Sequence, residues 1–154
     1  MNEYEKLINE CELENLEVFE VDFESNAKGL IVGNIIGISK KIDTVDEKRC
    51  ILAEELGHYH TTTGNILDQS SLENRKQENR ARKWSYNKLV GTENIIKAYE
   101  AKCTNKYEIA EFLNVTVEFL EESIECYRQV YGVFVNVREY TIIFVPNLAV
   151  IKAI

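Results

Sequence analysis

The chain has 154 residues, 45% of them hydrophobic, and a formal net charge of −8. That much apolar material builds one domain with a core, or a core and a small appendage, and excludes a disordered chain. The acidic balance opposes non-specific binding to nucleic acid or anionic membrane, and no apolar run is long enough to span a bilayer.

Tyr4, Leu7, Ile8 and Cys11 fall at helical spacing, which predicts a short amphipathic helix over 3–13. Residues 16–23 alternate as a strand does, with Val18 and Glu20 opposite Phe19, Val21 and Phe23. Two apolar runs follow, Leu30-Ile31-Val32 and Ile35-Ile36-Gly37-Ile38. The Gly33-Asn34 pair between them reads as a tight hairpin. Thr44-Val45-Asp46-Glu47 is a capping box, so a helix starts near Val45 and ends around Thr61 to Asn65. Ser70-Ser71-Leu72-Glu73 is a second one, opening a polar helix over about 71–89 on which Ala81, Trp84, Ser85 and Leu89 carry the apolar spacing. A further helix is expected over 93–102. Asn105 with Glu108 opens another, Asn114-Val115-Thr116 is a turn, and Val117, Leu120, Ile124 and Tyr127 mark a helix up to Gly132. Two helices across a short turn make a helix-turn-helix shape. The runs Val133 to Val135 and Thr141 to Val145 predict a last pair of strands.

Four cysteines, Cys11, Cys50, Cys103 and Cys126, form no CxxC pair and read as reduced thiols. Met1-Asn2-Glu3-Tyr4-Glu5-Lys6 lacks the basic and apolar regions of a secretory signal, and the expected location is the cytoplasm.

The chemistry concentrates in Ala53-Glu54-Glu55-Leu56-Gly57-His58-Tyr59-His60. The pattern His-Glu-x-x-His on a helix holds zinc with two imidazoles and activates a water with the Glu. Here Glu54 occupies the first His position, and Glu55 and His58 keep the base and second-ligand positions. Residues i and i+4 share a helix face, so Glu54 and His58 point to one place. Glu55 lies about 100° round, where it reaches the attacking water without ligating the metal. A catalytic site needs a third protein ligand, and the next helix offers Glu73 and Glu78. His60, about 200° round from His58, is expected in a surface or supporting role.

These residues resemble a known family. Ile-Leu-Ala-Glu-Glu-Leu-Gly-His-Tyr at 51–59 is similar to the active-site helix of the ImmA/IrrE metallo-endopeptidases of prophages and mobile elements. The run from Leu72 to Ser85 resembles their second motif, in which a Glu three residues before an Ala supplies the third ligand; Glu78 before Ala81 fits it. The resemblance implies an α+β fold: a compact zincin-like metalloprotease domain with a small β-sheet, a metal-binding helix and a helical C-terminal portion. Residues 1–91 would form the core with both metal-site helices. Residues 92–154 would add the helix-turn-helix-like segment and a terminal β-hairpin, packed as one unit with it. It implies Zn2+ on Glu54, His58 and Glu78, with Glu55 as general base, and a transcriptional repressor, often a helix-turn-helix protein, as substrate. With two carboxylates and one imidazole, the site would be more negative than a two-His site, would accept Mn2+ or Fe2+ more readily and would acidify a water less. Tyr59, Arg80 and Arg82 are the candidate oxyanion donors, with His60 beside them.

Two other readings weigh against this one. A helix with Glu118, Glu121, Glu122 and Glu125 repels phosphates, so direct nucleic-acid contact is not expected of the helix-turn-helix-like segment. The Glu at position 54 also admits a non-catalytic antirepressor that keeps the fold and binds its partner without cutting it.

Overall fold

The computed structural model describes residues 1–62 and 71–154, and within the latter the side chains from Asn74 onward. The Thr63 to Asn65 part of the expected helix end, the Ser70 cap and the Glu73 side chain lie outside the described residues. Among the described residues six helices and six strands form two compact units, Met1–Ser85 and Tyr86–Ile154.

In the first unit, α1 (Glu3–Leu13) opens on a capping box: the Glu5 N–H donates to Asn2 Oδ1 at 2.8 Å, and the Asn2 N–H donates back to Glu5. Its Tyr4, Leu7 and Cys11 are buried, as the helical spacing predicts. Asn15, in the left-handed region at φ 62, turns the chain into β1 (Glu17–Val21). Strands β2 (Gly29–Val32) and β3 (Ile35–Ser39) form the expected hairpin around Gly33 and Asn34, with Val32 opposite Ile35 and Gly33 at φ 61. A two-residue turn of this kind needs positive φ, which glycine adopts without steric cost.

The sheet order is β1-β3-β2, with β1 parallel to β3 in the register Val18 opposite Ile36. Ile36 and Ile38 are buried, whereas Phe19, Leu30, Val32 and Ile35 are exposed. Phe19 and Leu30 both stand opposite Gly37, so these outward side chains share one face of the sheet. The other face meets α2 (Val45–Thr61), which also packs on α1. Thr44 caps α2 by accepting from the Glu47 N–H at 3.2 Å. Helix α3 (Ser71–Leu89) follows and runs through the division between the units.

In the second unit, α4 (Gly91–Glu100) begins earlier than the expected 93–102. Gly91 at φ 66 lets α4 start directly after α3, and its N–H donates to the Tyr127 hydroxyl at 3.0 Å. Helix α5 (Lys106–Leu113) is capped by Asn105 and α6 (Val117–Tyr131) by Thr116, with Asn114 in the left-handed region between them. The helix-turn-helix-like shape is therefore present, and α6 exposes Glu118, Glu121, Glu122 and Glu125. The expected terminal hairpin is a three-stranded antiparallel sheet: β4 (Phe134–Val137), β5 (Tyr140–Ile143) and β6 (Ala149–Lys152). Tyr127, Phe144, Ile95, Ile96 and Leu120 fill the core of this unit.

All four cysteines are free thiols. Among the described residues no helix is long and apolar enough to cross a membrane.

Candidate metal centre

Helix α2 buries Cys50, Leu52, Ala53, Leu56 and Gly57. Glu54, Glu55 and His58 fall at the margin of that buried side and are half-buried. Glu55 is tucked beside β2, where a methyl group on Gly29 would come within 3.0 Å of its Oε1. Burial, and then the neighbouring charges of Glu54 and Glu78, push the Glu55 carboxyl up to about 7. Desolvation and like charge both disfavour the ionised form.

Helix α3 brings Glu78 to this margin. Its Oε2 lies 3.1 Å from His58 Nε2, and its other oxygen is 3.3 Å from Arg82 Nε. Two donors of a tetrahedral zinc shell, each about 2.0–2.1 Å from the ion, stand about 3.3 Å apart. The His58–Glu78 separation is thus close to one edge of such a shell, and the donor types fit zinc, manganese or iron. Among the described residues, however, no group of three or more His, Cys, Asp or Glu side chains is gathered to hold a metal ion. The structure brings His58 and Glu78 together. Glu54, one turn before His58, stands close enough to Glu55 to raise its carboxyl but does not complete a three-ligand cluster.

The remaining residues singled out from sequence lie around this margin. His60 pairs with Glu14 at 3.0 Å and stacks on Trp84, with ring centroids 4.8 Å apart. Tyr59 is exposed and meets His60 edge-on. Arg82 is engaged by Glu78, and Arg80 is exposed on α3.

Three contributors went unread in the sequence. Glu14, at the end of α1, is distant along the chain from its partner His60. Gly29 and Gly57 matter through the side chains they lack. A glycine inside a helix, one residue before a candidate ligand, was the available signal for Gly57.

A cavity of about 850 Å³ lies elsewhere, in the second unit, lined by Ile95, Tyr99, Ile109, Ile124 and Leu148 among others. Its rim cations are engaged, Lys106 by Glu121 at 2.6 Å and Arg128 by Glu125 at 2.9 Å. Size alone does not assign chemistry. The raised carboxyl and the His58–Glu78 pair make the α2–α3 margin the stronger candidate.

The family model of the IrrE N-terminal-like domain, a class of M78 peptidase, matches residues 11–125. The chain belongs to this ImmA/IrrE family. The match contains all of α2 and α3 and ends within α6. Membership makes the chain a member of a metallopeptidase family, with the metal cofactor that such a class implies. Comparison with curated proteins and with solved structures finds no match.

Proposed function

We propose that this protein is a metal-dependent endopeptidase that cleaves a transcriptional repressor, typically a helix-turn-helix protein, and so derepresses a prophage or mobile element in the cytoplasm. The observation that carries the reading is the approach of His58 and Glu78 from two helices to 3.1 Å, beside a carboxyl raised to about 7. His58 and Glu78 would hold the metal, zinc or else manganese or iron, with Glu54 as the third ligand on the face it shares with His58. A divalent metal held there would supply Lewis acidity to the scissile carbonyl and to the attacking water.

Glu55 supplies the acid–base chemistry. A carboxyl near neutrality accepts a proton from water as the new C–O bond forms and returns it to the amine as the C–N bond breaks. Its place beside Gly29 keeps it under the edge of the sheet and partly shielded from solvent. Arg82, paired with Glu78, would help hold that carboxylate toward His58, and Tyr59, Arg80 and Arg82 are the candidate oxyanion donors.

The test is cleavage of the repressor encoded next to this chain, followed by mass spectrometry. Two fragments in the presence of Zn2+, absent with Glu55→Gln and with chelator, are expected. Intact repressor under all conditions refutes the enzyme.

One observation favours a second reading. No three-ligand group is formed among the described residues, and Glu54 stands where the motif has an imidazole. An antirepressor that binds without cutting would then derepress equally well as Glu55→Gln and as wild type.

A further inference from the structure

The two ligand-bearing helices meet backbone to backbone. A methyl group on Gly57 would overlap the carbonyl oxygen of Ala81, and would stand 2.9 Å from its carbonyl carbon and 3.1 Å from its Cα. Those atoms belong to the main chain of α3, so no rotamer change relieves the overlap. Gly57 precedes His58 on α2, and Ala81 lies one helical turn after Glu78 on α3. The same crossing that admits only hydrogen at position 57 therefore sets the distance between His58 and Glu78.

We infer that Gly57 is a positioning residue for the metal site, which fixes the separation of His58 and Glu78 by holding α2 and α3 in backbone contact at Ala81. The inference rests on the metallopeptidase reading above and deepens it. Burial does not require glycine here, since Ala53 one turn earlier is also fully buried and carries a methyl group. Glycine also lowers helix propensity, by roughly 1 kcal/mol relative to alanine in a helix interior. What it provides is the close approach. A methyl at position 57 forces α3 to retreat by about an ångström to reach ordinary van der Waals separation. The His58–Glu78 edge then opens from 3.1 Å toward about 4 Å, whereas metal–ligand distances tolerate only about 0.2 Å.

The experiment measures Zn2+ affinity by competition with a chromophoric chelator, and the visible absorption of the Co2+ form, on wild type, Gly57→Ala and Ala81→Gly. Melting of each metal-free protein is followed through Trp84, the single tryptophan. Gly57→Ala is expected to bind Zn2+ about 10–100-fold more weakly, the loss typical when a ligand's support is disturbed, and to weaken the Co2+ absorption. Ala81→Gly removes a buried methyl from the same helix pair and adds no atom at the contact. It should melt lower yet keep wild-type affinity.

Wild-type affinity in Gly57→Ala overturns the inference. So does an equal loss in Ala81→Gly, because affinity would then follow stability alone. Should Gly57→Ala not fold in buffer, the three affinities are compared in a stabilising osmolyte, which favours the folded state. A loss of about 10–100-fold confined to Gly57→Ala is again expected, and wild-type affinity there overturns the inference. Wild-type protein that takes up neither ion sinks the proposed function and the inference together. Wild-type uptake with an unaffected Gly57→Ala sinks the inference alone.

Discussion

Glu55→Gln should stabilise the metal-free protein, and only at neutral and alkaline pH. The Glu55 carboxyl ordinarily titrates near 4.5 and is raised to about 7 in the folded chain by burial and by the charges of Glu54 and Glu78. Below the ordinary value the group is protonated in both states and contributes no difference. Between about 4.5 and 7 the folded state holds more protons than the unfolded one, so stability falls as pH rises. Above about 7 the full penalty of ionising a crowded, half-buried carboxylate is present. The difference corresponds to about 3 kcal/mol, and residual solvent screening at the margin of α2 reduces it to about 2 kcal/mol. Glutamine keeps the shape and removes the charge. The assay is urea unfolding in chelator, followed by Trp84 fluorescence, which reports on the first unit. At about pH 8 the variant should gain about 2 kcal/mol, or roughly 4–8 °C in melting temperature, and at about pH 4.5 the two curves should coincide. Added Zn2+ should shrink the gap, because a cation compensates the crowded carboxylates. A gap of equal size at both pH values, or a less stable variant at pH 8, refutes the reasoning.

His60→Ala should retain bound metal, because His60 is committed to Glu14 and Trp84. Its effect should be confined to a loss of about 1 kcal/mol in stability and a changed Trp84 emission, measured by fluorescence melting and metal analysis. Gly29→Ala should act on Glu55 instead. A methyl there stands 2.7 Å from Ile51 Cγ2 and 3.0 Å from Glu55 Oε1. The carboxyl must move, so the rate of repressor cleavage should drop about tenfold or more with Zn2+ affinity unchanged. Parallel losses of rate and affinity would contradict that assignment.

Local rules made much of this fold legible. Thr44, Asn105 and Thr116 each cap a helix by accepting a backbone N–H, and the first two were readable from a Glu three residues on, whereas Thr116 read only as part of a turn. Gly33-Asn34 announced the hairpin by the same local logic. The parallel pairing of β1 with β3 was not readable, because it joins segments separated by another strand. Strand β6 was missed although it is as long as β4 and β5, because its bulky apolar residues, Val150 and Ile151, are adjacent and show no alternation. The alternation in β1 separated its two faces correctly but could not say that Phe19 faces outward. At the site, the spacing of Glu54, Glu55 and His58 followed from one helix. The approach of Glu78 to His58 came from a second motif read by resemblance. The contacts at Gly29 and Gly57 are tertiary, and an absent side chain leaves no pattern along the chain.

The central claim is that α2 and α3 together hold a catalytic metal. The most direct measurement is the metal content of protein purified without chelator, for wild type, His58→Ala and Glu78→Gln. The account predicts about one equivalent in wild type and little in either variant. A wild-type chain without metal, or a Glu78→Gln variant that keeps its full equivalent, contradicts it.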